Sequence, residues 1–322
     1  MYEPIFSPIL KIHFLNVGHG DCTIIDFPGD ADGRRLTIID SNHLDDNDYE
    51  DVATYIKTHF PGRNIFRFIM THPHKDHISG LIKFKEQGIR ILHFWDLNHN
   101  FGPEKEGGHW DNYKYDWEEY QRIQVDSSIP SIKPMALEQG QYWTNDGITV
   151  LAPDQTLIKD AHTDQDGNSI TGPKVNLHRM NYVLLITHGK FKLLIGGDAD
   201  KQCWDFIYNM FYTMLSNPLK RLNLLNTIRP SIFLAPHHAS ETSFHEELFS
   251  FLKPQNIIIS SSKDDLTNDN NMVYEYAKLG RVHKTAESGT ITVNAYTTGE
   301  YKFFKTIFPL KTMRPRRFLN LS

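Results

Sequence analysis

The chain has 322 residues, of which 39% are hydrophobic and 23% are charged, an ordinary composition for a globular protein. Its formal net charge of −5 excludes a positive field over the whole surface, so contact with nucleic acid would need a local basic patch or bound metal. Its two cysteines, Cys22 and Cys203, are too few for a disulfide framework or a cysteine-rich zinc module, and we expect both to be buried.

The sequence shows no membrane or export signal that we recognise. Its start, MYEPIFSPIL, lacks the basic and apolar pattern of a signal peptide. No apolar run reaches the roughly 20 residues of a membrane span. We therefore expect a cytoplasmic protein.

The first half of the chain alternates strand and helix patterns. Three short runs broken by Gly, Asp and Pro predict an antiparallel meander: KIHFLNV, CTIIDF and LTIID. DNDYEDVATYIKTHF predicts a helix capped by Asp48. A buried strand, a helix and a further strand follow in NIFRFIM, ISGLIKFKEQG and IRILHFW.

Residues 96–146 are predicted to be an insertion. They are rich in Asp, Asn, Gly and aromatic residues, and only the part around Tyr115–Gln124 indicates a helix. Because long loops in compact domains are usually functional or disordered, this segment is a candidate docking surface for a protein partner.

The second half repeats the pattern of the first. ITVLAP, YVLLIT and FKLLIGGD predict a second meander, followed by a helix over DKQCWDFIYNMFYTML. SFHEELFSFL predicts a helix with a capping box of Ser243 and Glu246. The remaining strands and helix are SIFLAP, NIIISS, NMVYEYAKLG, TITVNAY and YKFFKTIF. Two similar halves predict an α/β fold, with two sheets packed face to face and helices outside, in a single domain over residues 1–322.

The segment THPHKDH, directly after a predicted strand, is the strongest chemical signal in the chain. His72 and His74 are two residues apart, so in an extended segment they point to the same side. Asp76 and His77 follow where the next helix begins. Imidazole and carboxylate are the ligands of Zn²⁺, Mn²⁺ and Fe²⁺, so this turn predicts a metal site.

Four such residues on one turn fit two adjacent metal ions better than one zinc that must also hold water. Other strand ends supply further candidate ligands. Asp198 ends an apolar strand in LLIGGDAD, and His237 and His238 follow another strand in LAPHHAS. Such loops are where a rigid scaffold presents catalytic groups.

These motifs resemble those of a known superfamily. THPHKDHISGL is similar to the HxHxDH signature of the metallo-β-lactamase superfamily. Together with it, five further segments resemble the hydrolase domain of the bacterial competence-type DNA-uptake channel protein and its free-standing relatives: FLNVGHGDCTIID, LTIIDS, NYVLLITHGKFKLLIGGDAD, LAPHHAS and KTAESGTITV. The resemblance implies a metallo-β-lactamase fold, a four-layer αββα sandwich of two mixed sheets.

The resemblance also implies roles for site residues. His72 and His74 would hold one metal, Asp76 and His77 the other, and Asp198 would bridge them. One histidine of LAPHHAS would complete the second metal. We favour His238, with His237 lining the substrate pocket. Asp40, at the end of LTIID, would support the site from behind.

Two positions remain open. His178, in NLHRMNYVLL, lies near a ligand histidine of many superfamily members, although the DNA-uptake relatives often lack it. His19 stands where those relatives usually have glutamine, on a loop that would face the pocket and touch substrate.

The predicted function is that of a metal-dependent hydrolase in which two divalent ions, Zn²⁺ or Mn²⁺, activate water. Asp76 and Asp198 would serve as catalytic ligands, and His237 or a metal-bound water would protonate the leaving group. The substrate is predicted to be a phosphodiester, including single-stranded DNA, whose phosphates and bases would meet local basic residues and the aromatic residues of 96–146. The alternatives are a small ester, thioester or phosphocholine-type diester, and a metal-binding interaction module without turnover.

Overall fold

The computed structural model describes residues 8–30, 33–46, 48–97, 113–215, 227–267 and 271–305. These residues form fourteen β-strands in two sheets and the helices that cover them. The strands in chain order are β1 (Leu10–Phe14), β2 (Thr23–Asp30), β3 (Gly33–Ile39), β4 (Arg67–Ile69), β5 (Phe94–Trp95), β6 (Ser131–Ile132), β7 (Ile148–Ala152), β8 (Val183–His188), β9 (Phe191–Ile195), β10 (Ile232–Leu234), β11 (Asn256–Ile259), β12 (Arg281–Lys284), β13 (Ile291–Ala295) and β14 (Tyr301–Lys305).

The α-helices lie between these strands, and several are short. In chain order they are α1 (Val52–His59), α2 (Lys75–Ile78), α3 (Leu81–Glu86), α4 (Lys114–Val125), α5 (Gln155–Ala161), α6 (Lys201–Leu215), α7 (Glu246–Leu252), α8 (Val273–Leu279) and α9 (Thr285–Ser288). In the part of the chain that the structure describes, none of them is long and apolar enough to cross a membrane.

Both sheets are mixed, and each begins as the predicted meander. The first has eight strands in the order β14-β13-β1-β2-β3-β4-β5-β6, antiparallel through β3 and parallel from β3 to β6. The second has six strands in the order β12-β11-β10-β9-β8-β7, antiparallel from β7 to β9 and parallel from β9 to β12. Parallel neighbours end at the same sheet edge, so the residues after β3 and β4, and those after β9, β10 and β11, are brought together.

Three apolar cores separate four layers. The central core joins both sheets, with Ile12 and Ile69 from the first meeting Leu184 and Leu234 from the second. A second core lies between the first sheet and α1, α3 and α4. A third lies between the second sheet and α6, α7 and α8. The predicted four-layer αββα arrangement is therefore confirmed.

Two predicted helix caps are wrong by a few residues. The cap of α1 is Asp51, whose carboxylate accepts the Thr54 N–H at 2.7 Å, and not Asp48. The cap of α7 is His245, whose Nδ1 accepts the Leu248 N–H at 3.1 Å, and not the Ser243–Glu246 box. In both helices, the free backbone N–H of the first turn donates to the side chain directly before the first helical residue, because only that side chain lies close enough to accept it.

The 96–146 segment contains the predicted helix, α4, but it also contributes to the fold. Strand β6 extends the first sheet, and Trp117 and Tyr120 are buried in the core beneath α4. These two aromatic side chains therefore cannot stack on nucleic-acid bases, whereas Tyr115 is exposed. Residues 98–112 lie outside the described residues. That this segment is an insertion in a single domain stays a prediction.

Candidate metal centre

The candidate site lies where loops from both sheets meet at their common edge. All ten residues singled out in the sequence contribute side chains there. They are His19, Asp40, His72, His74, Asp76, His77, His178, Asp198, His237 and His238.

The turn after β4 delivers four of these side chains. The chain bends at Thr71, is extended at His74 (φ −72°, ψ 158°), and then forms the single helical turn of α2. His72 and His77 are fully buried, whereas His74 and Asp76 are partly exposed. The change from extended chain to helix points all four groups toward one volume.

A first group of ligand atoms consists of His72, His74 and His178. His72 Nε2 lies 2.8 Å from His74 Nδ1, and His178 Nε2 lies 3.0 Å from the same atom. The structure therefore places His178, which the sequence left open, beside the first pair.

A second group consists of Asp76, His77, Asp198 and His238. His77 Nε2 is 3.3 Å from Asp198 Oδ1 and 3.5 Å from Asp76 Oδ2. His238 Nε2 is 3.3 Å from Asp76 Oδ2, while its Nδ1 lies 3.0 Å from the Ser260 carbonyl. That carbonyl can only accept, so Nδ1 carries a proton and Nε2 faces the group.

Asp198 lies between the two groups. Its Oδ2 faces His72 at 3.8 Å and His178 at 3.9 Å, and its Oδ1 faces the His77 imidazole at 3.3 Å. The glycine before it is required, because Gly197 has φ +48° and an added Cβ would lie 2.5 Å from the Asn181 side chain. Asn181 in turn accepts the Asp198 N–H at 3.0 Å.

His237 and His238 are presented by a strained turn after β10. His237, His238 and Ala239 have φ values of 51°, 55° and 68°, a region that non-glycine residues seldom adopt. His237 Nε2 lies 3.6 Å from Asp198 Oδ2, and its Nδ1 is 3.1 Å from Thr242 Oγ1. His238 is buried and His237 is partly exposed, and both belong to possible ligand groups, so the predicted division between ligand and pocket wall stays a prediction.

Asp40 lies behind His77, where the sequence predicted it. Its Oδ2 is 2.8 Å from His77 Nδ1, and its two oxygens accept the Thr71 N–H at 2.7 Å and the Thr71 hydroxyl at 2.6 Å. Such a carboxylate fixes the ring orientation and leaves Nε2 free to bind a metal.

Two acidic residues near the site were missed in the sequence. Asp265, after β11, holds His19 through a 2.8 Å contact between its Oδ1 and His19 Nδ1, and His19 Nε2 lies 3.7 Å from Asp76 Oδ2. Asp21 is buried 3.8 Å from His238 Nδ1. Asp265 follows a strand, so the rule that strand-end loops carry functional groups would have identified it from the sequence. The position of Asp21 beside the site is visible only in the fold.

The two groups differ in electrostatics. Burial lowers the pKa of His72 well below its usual value and lowers that of His178 to about 4, so both imidazoles are neutral. Burial also lowers the pKa of His238, but Asp198 and Asp76 outweigh it and raise the value to about 10. The same competition, led by Asp198, raises the pKa of His77. Burial raises the pKa of Asp21 to about 6.

The residues present fit divalent metal ions. His77 Nε2 and Asp198 Oδ1 are buried and have no hydrogen-bond partner among the described residues, although both point into the second group. Ligands 2.0–2.1 Å from a tetrahedral ion are about 3.3 Å apart. The ligand atoms within each group lie within 4.8 Å of one another, and several pairs are 2.8–4.0 Å apart, which brackets that value. A bound ion would also replace the protons on His77 and His238.

Comparison with known proteins gives no close relative. No protein-family model matches the chain, and no curated protein matches it. Among solved structures, the metallo-β-lactamase fold protein YhfI from Bacillus subtilis is 11% identical, with 88% of this chain and 99% of that chain covered and a TM-score of 0.46. A diphosphatase of the PhnP family is 12% identical over 82% of this chain and 81% of that one, with a TM-score of 0.35. The DIM-1 metallo-β-lactamase is 14% identical over 66% of this chain and 83% of that one, with a TM-score of 0.32.

These scores are too low to carry an argument, so the fold assignment rests on the molecule itself. Two mixed sheets face each other between helical layers, and the loops at their common edge gather the histidine and aspartate side chains. The fold is the predicted α/β class, a four-layer αββα sandwich of two mixed sheets.

Proposed function

We propose that the chain is a metal-dependent hydrolase whose site holds two divalent ions, Zn²⁺ or Mn²⁺. One observation carries this proposal: Asp198 Oδ1 faces His77, whereas its Oδ2 faces the histidines on the other side, His72, His178 and His237. A carboxylate that faces a ligand group on each side is the arrangement that a pair of ions 3.5–4 Å apart requires.

In this proposal His72, His74 and His178 hold one ion, and Asp76, His77 and His238 hold the other. Bound divalent ions supply acidified water and stabilise negative charge on substrate oxygens. The chain's residues do the rest. Asp40 fixes His77, Ser260 fixes His238, and the buried walls around Asp198 exclude bulk water.

His237 or a metal-bound water is proposed to protonate the leaving group; burial lowers the pKa of His237, so this imidazole must take up a proton before it can donate one. His237 is the partly exposed histidine of the strained turn, and Thr242 holds its Nδ1 at 3.1 Å. The Nε2 atom is therefore directed toward the cleft beside Asp198, where a substrate bound between the two groups would place its departing oxygen.

The substrate is proposed to be a phosphodiester. Two histidines that are not ligands in this proposal lie at the exposed side of the site: His19, near Asp76, and His237, near Asp198. Imidazoles donate hydrogen bonds to anionic oxygens, which a phosphodiester carries and a neutral ester lacks.

The local basic residues expected to contact phosphates are Lys174, Arg179, Lys220, Arg221, Arg281 and Lys284, and four of these six give this choice little support. Arg179 is paired with Asp200 at 3.2 Å, and Lys284 is paired with Glu287. Lys220 and Arg221 lie outside the described residues. Single-stranded DNA is therefore included as one of the substrates to be assayed and is not proposed separately.

The test is a parallel assay of the metal-loaded protein on bis(p-nitrophenyl) phosphate, a single-stranded oligonucleotide, a p-nitrophenyl ester and a thioester. We expect turnover of the phosphodiesters, and loss of at least a thousandfold in Asp198→Ala. Asp205→Ala is the matched control, because Asp205 is a half-exposed carboxylate on α6. Turnover of only the ester or thioester would show that the substrate is an ester or thioester and not a phosphodiester. Metal binding without any turnover would favour an interaction module.

A further inference from the structure

Asp21 is a buried carboxylate without an assigned role. It is 3% exposed, and its Oδ1 has no hydrogen-bond partner among the described residues. Burying a charge in this way is costly unless an opposite charge lies nearby. Its only ion-pair partner in the described chain is His238, at 3.8 Å from Nδ1.

The loop between β1 and β2 holds Asp21 in this place. The Asp21 N–H donates to the Asp76 carbonyl at 3.2 Å, and the Ser260 hydroxyl donates to the Gly20 carbonyl at 2.8 Å. An added Cβ on Gly20 would lie 2.6 Å from the Asp76 carbonyl oxygen, so this loop packs directly against the turn that carries His72, His74, Asp76 and His77. Asp21 is therefore fixed against the second group.

Asp21 lies on the outer side of His238. The Nδ1 edge of that ring faces Asp21 and the Ser260 carbonyl, whereas the Nε2 edge faces Asp76. Asp21 thus stands behind His238 much as Asp40 stands behind His77. The Asp21 carboxylate also lies within 4.8 Å of the ligand atoms of Asp40 and His77, so it is placed to act on the second group through space.

The charges around the site point to a pair of dications. Four buried or partly buried carboxylates surround the second group: Asp21, Asp40, Asp76 and Asp198. Among the described residues, the ion pairs of these carboxylates are all with histidines. Those assigned as ligands, His72, His77, His178 and His238, are neutral when they bind metal, and only His19 and His237 are not ligands. Four negative charges are neutralised by two divalent ions, whereas a single ion leaves a buried excess of negative charge.

We propose that Asp21 supplies the fourth of these charges and stabilises the ion held by Asp76, His77 and His238 without touching it. This inference rests on the proposed function, because it presupposes the two-ion site. Removal of a charged group behind a metal ligand typically weakens metal affinity 10–100-fold. The ion of the first group lies on the far side of Asp198 and should be affected much less.

The experiment measures metal affinity and not turnover. Zn²⁺ and Mn²⁺ are titrated into the chelator-treated protein in competition with a chromophoric chelator, for the wild type, Asp21→Asn and Asp26→Asn. Asp26 is the control because it is a buried carboxylate of β2 that pairs with Arg63 at 2.7 Å, away from the site. Asp21→Asn should lower the affinity for one of two ions 10–100-fold, and Asp26→Asn should leave both affinities unchanged.

Two further backgrounds identify the affected ion. The loss should persist in His74→Ala, which damages the first group, and disappear in His238→Ala, which damages the second. Thermal unfolding in excess chelator checks that each variant folds. If Asp21→Asn does not fold, Asp21→Ser is used as a second uncharged variant.

The outcomes separate this inference from the proposed function. If the wild type binds two ions and both uncharged Asp21 variants bind them as tightly, the role of Asp21 is refuted while the two-ion site stands. An equal loss in Asp26→Asn, or a loss that survives in His238→Ala, also refutes it. If the wild type binds no divalent ion, the proposed function fails and this inference fails with it.

Discussion

The substitution Asp40→Asn should disable one metal ligand without removing it. Asp40 Oδ1 accepts the Thr71 N–H at 2.7 Å, and Oδ2 lies 2.8 Å from His77 Nδ1. Because the Thr71 N–H can only donate, asparagine must keep its oxygen there and turn its NH₂ group toward His77. A donor facing Nδ1 favours the tautomer with a proton on Nε2, and that proton would occupy the position from which His77 binds metal.

The expected loss of metal affinity follows from the loss of the carboxylate that orients the His77 ring. We expect the affinity for one ion to fall about 10–100-fold, or roughly 1.4–2.8 kcal/mol. The stability of the metal-free protein should change less, because burial raises the pKa of Asp40 and removal of that buried charge offsets the lost hydrogen bond.

Chelator competition with Zn²⁺ measures the affinity, and ¹⁵N NMR of the imidazole reports the His77 tautomer. The matched control is Asp116→Asn, because Asp116 is a buried carboxyl that accepts the Ile82 N–H at 2.9 Å through one oxygen. Wild-type affinity in Asp40→Asn, together with a proton still on Nδ1 of His77, would refute the reasoning.

Three other predictions concern separate parts of the molecule. His178→Ala should reduce the bound metal from two ions to one at micromolar concentrations, measured by elemental analysis after gel filtration; retention of both ions would remove His178 from the ligand set. His19→Ala should raise KM for a phosphodiester about tenfold with kcat little changed, because it removes a hydrogen-bond donor that Asp265 orients; a loss confined to kcat would argue against substrate binding. Burial lowers the pKa of His13 to about 4 from 6.5. The stabilisation that neutral His13 provides is thus complete above pH 6.5 and is lost as the pH falls toward 4, by about 3 kcal/mol. Denaturant unfolding of His13→Phe should show that much less loss between pH 7 and pH 4, and an unchanged pH dependence would show that His13 does not carry it.

The sequence predicted the layers and the ligand turn because both depend on short-range patterns. The two meanders, the helices that cover them and the segment THPHKDH are each readable within a few residues. Strand ends then placed Asp198 and the histidine pair of LAPHHAS near that turn, since parallel strands finish at a common edge.

The remaining features of the fold and of the site depend on contacts between residues that are distant in the sequence, and residue spacing does not encode such contacts. Strand β12 is four residues of mostly polar sequence, and its pairing with β11 is visible only in the fold. Asp21 reaches the site because its loop is seated on the Asp76 turn. The sequence did not separate His237 from His238, because the difference in burial between the two rings is visible only in the fold.

The most direct test of the two-ion site is an anomalous difference map from a crystal soaked in Zn²⁺ or Mn²⁺. Two peaks about 3.5–4 Å apart on either side of Asp198 are predicted, one beside His72, His74 and His178 and the other beside His77 and His238. A single peak, or no peak between the carboxylate of Asp198 and these histidines, would contradict the account.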